Sequence, residues 1–172
     1  MDETADLPAA VVVGVDGSAP SILALRWAGA LAPLLKAHIR AVTCWQFQIA
    51  VGTFTPLLWS PEEEAKKICA AAVDEAFGGA PPAGLEMVTS QGQTAKVLVH
   101  ESQTAQIVVV GSRGHGGFEG LLLGAVSATV AQHAKCPVLV AHGTDLPAGL
   151  LVAPGQSSVA GGGQAGSSHA GA

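Results

Sequence analysis

Apolar and polar positions alternate between two kinds of run along this chain. The first is a short, continuous, β-branched run, as in Ala9-Ala10-Val11-Val12-Val13-Gly14-Val15 and Gln106-Ile107-Val108-Val109-Val110. Such runs fit strands buried on both faces, as in a parallel sheet. Further strands are expected within 37–45, centred on Ile39–Thr43, at Leu85–Thr89 and at Val138–Ala141. The second kind of run has helical spacing. One helix follows Asp16-Gly17-Ser18, with Ser18 or Ser21 as cap, Pro20 in the first turn, and an apolar face of Leu23, Trp27, Ala30, Leu31 and Leu34. Another opens on Ser60-Pro61-Glu62-Glu63, where Ser60 caps, Pro61 takes the first helical position and Glu63 completes a capping box. Its apolar positions are Ala65, Ile68, Cys69, Ala72, Val73 and Ala76, and Gly78-Gly79 stops it. Thr94–Gln103 and Gly124–Ala134 are the remaining helices. Strands separated by helices predict an α/β layer fold with right-handed crossovers.

The chain has 172 residues, 49% of them hydrophobic, which suits one domain with a sizeable core. Residues 1–8 read as a flexible N-terminus, 9–142 as the folded domain, and 143–172 as a Gly/Ser/Ala-rich flexible tail too polar and small to offset chain entropy. The net charge is −5 and the eight Lys and Arg are scattered, which argues against a nucleic-acid surface. The acidic start and the lack of an apolar run of roughly 18 residues argue against a signal peptide and a membrane span. The expected setting is cytoplasmic. Cys44, Cys69 and Cys136 have neither disulfide nor metal-ligand spacing, and His133 and His142 beside Cys136 lack a convincing third ligand.

The chemistry concentrates in Gly111-Ser112-Arg113-Gly114-His115-Gly116-Gly117-Phe118-Glu119-Gly120 and its continuation to Ser127. This stretch leaves a strand and enters a helix. Glycines permit positive φ and close backbone approach to a ligand. Converging N–H groups and a helix N-terminus favour an anion. Arg113 adds a cation and Ser127 a hydroxyl. Neither a Walker A loop nor a G-x-G-x-x-G fingerprint is present. Asp16, at the end of the first strand, lies where ligands bind in open α/β sheets. No nucleophile elbow and no carboxylate cluster for a dedicated Mg²⁺ site occurs, so the residues do not describe a committed enzyme.

Gly111-x2-Gly114-x9-Gly124 resembles the G-x2-G-x9-G-[ST] signature of ATP-binding universal stress proteins. The resemblance runs from about Ala9 to Ala141 and includes Val13-Gly14-Val15-Asp16-Gly17-Ser18, Ala24-Leu25-Arg26-Trp27-Ala28 and His133-Ala134-Lys135-Cys136-Pro137-Val138-Leu139-Val140. It implies an open five-stranded parallel sheet of order 3-2-1-4-5 with helices on both faces. It implies that Asp16, with Gly14 beside it, contacts the nucleoside and that Val42 lines the adenine pocket. Gly111, Ser112, Arg113, Gly114, His115 and Gly116 would wrap ribose and phosphates, and Gly124, Ala125, Val126 and Ser127 would close over the phosphates. The implied ligand is ATP, accompanied by Mg²⁺, with at most weak hydrolysis. One departure stands out: Ala125 replaces the Ser or Thr. A hydrogen bond to a charged group contributes roughly 1.5–3 kcal/mol, so triphosphate binding would weaken about 10- to 100-fold. AMP and cyclic AMP therefore stay open as ligands, as does an interaction protein with a vestigial pocket. The resemblance further implies a homodimer through strand 138–141. The apolar loop 45–59 is read as a lid over the core or as a surface for a protein partner.

Overall fold

The computed structural model describes residues 9–47, 60–115 and 122–150. Five strands alternate with four helices: β1 Ala10–Gly14, α1 Ala19–Leu35, β2 His38–Trp45, α2 Pro61–Phe77, β3 Glu86–Gln91, α3 Thr94–Glu101, β4 Ile107–Gly111, α4 Ala125–His133 and β5 Val138–Ala141. All strand pairs are parallel, in the order β3-β2-β1-β4-β5. Val11 is flanked by Ile39 on β2 and Ile107 on β4. The fold class expected from the chain is the one observed.

Each β1 residue faces one of two cores, because successive side chains in a strand point to opposite faces. Val11 and Val13, with Ile39, Ala41 and Val109, pack against Ile22, Leu25 and Ala28 of α1 and Cys69 and Ala72 of α2. Val12, with Val42, Val108 and Val110, packs against Leu98 of α3 and Val130 of α4. Burial on both faces explains the unbroken valine runs.

The caps follow their local sequence. Ser18 Oγ accepts the Ser21 N–H at the start of α1, and Ser60 Oγ accepts the Glu63 N–H at the start of α2, each at 3.4 Å. The Glu63 carboxylate is held by Lys66 Nζ at 2.7 Å, so the box is built on the Ser60 side, with Glu63 turned along the helix. Gly78 ends α2 at φ 60°, where glycine carries no Cβ penalty.

Helix α1 departs from its expected face. Ile22, Leu23, Ala24, Leu25, Ala28 and Ala32 are buried, whereas Leu34 is 72% exposed. The helix is apolar on nearly every side, so spacing did not select the stripe. Packing against both the sheet and α2 did. After β5 the chain reaches a short 3₁₀ turn at Ala148–Leu150, and Leu146 and Leu150 line a cleft with Pro33, Leu34 and Phe77. The rest of the tail and most of the apolar loop, 48–59, lie outside the described residues. Within that loop's described part, the Trp45 and Phe47 rings meet edge to face at 5.2 Å. Among the described residues no helix is long and apolar enough to cross a membrane.

Candidate functional site

The order β3-β2-β1-β4-β5 reverses direction between β1 and β4, and ligands in open α/β sheets bind in the crevice at the strand C-termini beside such a point. Two turns meet there. After β1, the Val15 N–H extends the ladder to Val42 O at 2.9 Å, and the chain then turns at Asp16. Asp16 Oδ1 accepts the Ser18 N–H at 2.9 Å and the Ser18 hydroxyl. Ser21 Oγ accepts the Asp16 N–H at 3.4 Å and donates to Ser18 O at 2.9 Å. The Asp-Gly-Ser turn therefore both caps α1 and fixes the carboxylate. Burial pushes the Asp16 pKa upward. The Ser18 hydroxyl and N–H, the Ser21 hydroxyl and the nearby His115 outweigh it and leave the carboxyl below its ordinary value.

The second turn leaves β4 at Gly111. Ser112 anchors it: its N–H donates to Ala141 O at 2.9 Å, and its carbonyl accepts the Gly124 N–H at 2.8 Å and the Ser127 hydroxyl at 3.1 Å. The loop then folds over Asp16. The His115 N–H donates to Asp16 Oδ2 at 3.3 Å, and His115 Nε2 lies 3.1 Å from Asp16 O, which requires a proton on Nε2. Gly124 caps α4 with no side-chain acceptor, and the N–H groups of Ala125, Val126 and Ser127 have no partner among the described residues, so they stand as the helix's open donors.

The loop glycines work differently from the expectation. None of Gly111, Gly114 and Gly124 has a positive φ. For Gly111 and Gly114 the requirement is space, whereas a Cβ on Gly124 would make only ordinary contacts, the nearest with Arg113 Cα at 3.4 Å. A Cβ on Gly111 would lie 2.6 Å from Pro20 Cβ and 2.7 Å from the Pro20 carbonyl carbon. On Gly114 it would lie 2.5 Å from Asp16 Oδ2. The missing side chains let the two turns close on each other.

Between them lies a cavity of about 320 Å³. Gly14 at the end of β1 and Asp16 in the turn after it line one side; Gly111, Arg113, Gly114 and His115 line it from β4 and its loop; Gly124, Ala125, Val126 and Ser127 from the start of α4. Two expected residues are elsewhere. Val42 is fully buried in the core under α3, and the cavity walls do not include it. Strand alternation puts Val42 on the same sheet face as Leu98 and Val110, both of which line the cavity, while Ile39 and Ala41 face the other core. Ser112 is the loop's anchor, outside the lining. Gly116 lies outside the described residues. Val15, Ser21, Val110, and Thr94 and Leu98 of α3 complete the walls, and none of them was expected there. The signal for α3 was topological: it follows β3 and shares a sheet face with α4.

A parallel sheet whose glycine loop and helix N-terminus converge on the switch point defines a doubly wound α/β protein with a ligand crevice. The chain belongs to the universal stress protein family, whose profile matches residues 9–142. It is 37% identical over 146 residues to universal stress protein Rv2623 of Mycobacterium tuberculosis strain H37Rv, covering 82% of this chain and 49% of that protein. A Mycolicibacterium smegmatis universal stress protein is 37% identical over 136 residues, covering 76% and 44%. The chain spans about half the length of the curated relatives it matches. Among solved structures, a universal stress protein in complex with cAMP is 30% identical at TM-score 0.59, covering 80% of this chain and 99% of its own. A universal stress protein from Archaeoglobus fulgidus shares the fold at 23% identity and TM-score 0.53, covering 77% and 97%.

Proposed function

We propose that this chain binds an adenine nucleotide in the cavity between Asp16 and the glycine loop, and that occupancy serves stress response or signalling. ATP, AMP and cyclic AMP are the candidate forms, and Mg²⁺ would accompany ATP. The observation that carries the reading is the closure of Gly114 on Asp16, where a Cβ would lie 2.5 Å from Asp16 Oδ2, around a cavity that this fixed carboxylate and the first residues of α4 both line. A carboxylate suits ribose or base donors, while a helix N-terminus and Arg113 suit phosphate. The related structure with bound cAMP supports an adenine ligand. Titration calorimetry tests it. Saturable binding of at least one of the three nucleotides is expected, and Gly114→Val should abolish it. No heat of binding from any of them at millimolar concentration would overturn the reading.

The same proposal includes a homodimer through β5. That strand is the last in the sheet, with Val138, Leu139 and Val140 only half-buried. An apolar edge strand is a template for pairing, and pairing with its own copy closes as a two-fold dimer. A cytoplasmic setting rests on Cys44, Cys69 and Cys136, all free thiols.

A further inference from the structure

We propose that the cleft between α1 and α2 is a second binding site, for an amphiphile with an alkyl chain and an anionic head, a medium-chain fatty acid being the simplest case. The cleft shares no wall residue with the nucleotide cavity, and the site stands apart from the nucleotide reading.

Shape is the first observation. The cleft holds about 710 Å³, within the roughly 300–1,000 Å³ of small-molecule sites. On α1 its wall is Arg26, Ala30, Pro33 and Leu34, a helical stripe running roughly 12 Å along the axis at 1.5 Å per residue. Phe77 of α2 lies against this stripe because position 29 is glycine: a Cβ there would be 2.8 Å from Phe77 Cε1. Leu146 and Leu150, after β5, supply the remaining apolar wall. Leu34 lines the cleft and is still 72% exposed. An elongated apolar trough with uncovered surface favours burial of an alkyl chain.

Charge is the second observation. Two charged residues line the cleft, Arg26 and Asp145. Asp145 Oδ2 already accepts the Thr144 hydroxyl at 2.8 Å. Arg26 is half-buried and forms no ion pair among the described residues. Its Nη2 donates only to Glu75 O, at 3.4 Å. A guanidinium offers five donors in a planar fork that matches a carboxylate. The group left to be paired at the end of the apolar stripe is therefore a cation, and it sets the sign of the head.

The test is calorimetry with octanoate, decanoate and dodecanoate below their micellar concentrations, on the full chain, Arg26→Met and Leu34→Glu. Saturable binding is expected. Burying a methylene tightens binding about 3- to 4-fold, so each two-carbon step should lower Kd about 10-fold. Arg26→Met keeps the aliphatic stem and should weaken decanoate at least about 10-fold while leaving decanol unchanged. Leu34→Glu alters an exposed position, so it should keep the parent's circular dichroism and lose both ligands. No decanoate binding, or equal decanoate affinity in Arg26→Met, would overturn the proposal. Binding seen only in a full chain carrying Leu151→Ser and Val152→Ser would overturn it too, by assigning the cleft to the chain's own next residues. A lower mass of Leu34→Glu in light scattering would overturn it by assigning the cleft to a second copy.

Discussion

The His115 N–H donates to Asp16 Oδ2 at 3.3 Å, joining positions 99 residues apart across the mouth of the cavity. With the His115 ring on the Asp16 carbonyl, this pair ties the loop after β4 to the turn after β1. The site's geometry therefore depends on the ionised form of Asp16. The lowered pKa gives the sign. A group whose folded pKa lies below its unfolded value contributes stability above the unfolded value and loses it as pH falls through the folded one. Asp16→Asn should be less stable than the unaltered chain at pH 7. Urea titrations should show the difference shrinking as pH drops below about 3.8, the ordinary carboxyl value, and vanishing lower still. A difference that persists unchanged at low pH would mean the carboxylate charge contributes nothing.

Gly111→Ala tests whether close approach, rather than backbone freedom, fixes the loop glycines. The new Cβ would meet Pro20 Cβ at 2.6 Å and Pro20 O at 2.8 Å, against backbone that cannot rotate away. Overpacking of this kind costs about 1–3 kcal/mol. Denaturation should show that loss, and nucleotide affinity should fall with it as the loop is pushed off α1. An alanine tolerated without change in stability would place the loop farther from α1.

Much of this was legible in the chain because burial writes simple patterns. Strands with two buried faces are valine runs, and Val11, Val12 and Val13 announce β1 without ambiguity. Ser60-Pro61 and Gly78 mark both ends of α2. The site residues supplied by one stretch, Gly111 to Ser127, were found together because a glycine cluster after a strand is a local signal. What escaped depended on tertiary packing. The buried stripe of α1 could not be chosen among leucines and alanines on all sides. Thr94 and Leu98 reach the cavity only because α3 and α4 share a face. Val42 lies on the cavity's side of the sheet, with Leu98 and Val110, but does not itself line the cavity.

Arg40 provides a control at the opposite end of the sheet. Its Nε donates to Glu101 Oε2 and its Nη1 to Glu86 Oε2, both at 2.9 Å, tying β2 to α3 and β3. Glu101 is only 17% exposed. Removing the guanidinium leaves a poorly hydrated carboxylate unpaired, a loss of about 1–3 kcal/mol. Arg40→Leu should lower stability by that amount at pH 7 and leave nucleotide affinity unchanged. A large loss of affinity in a folded variant would show that this cluster communicates with the cavity.

The homodimer proposal makes its own prediction. Light scattering should give twice the monomer mass at micromolar concentration without nucleotide. Val140→Pro removes a backbone donor from β5 and should yield a monomer that keeps its α/β circular dichroism. A monomeric parent chain would overturn the dimer, and a Val140→Pro protein that stays dimeric would move the interface off this strand.

Amide chemical-shift mapping during an AMP titration tests the central claim most directly, since it reports where the nucleotide sits. Asp16, Gly114, His115 and the open donors Ala125, Val126 and Ser127 should shift progressively and saturate together, while His38, Arg40 and Glu86 stay in place. Saturating shifts confined to the cleft around Phe77 and Leu150, or no shift at Asp16 and the start of α4, would contradict it.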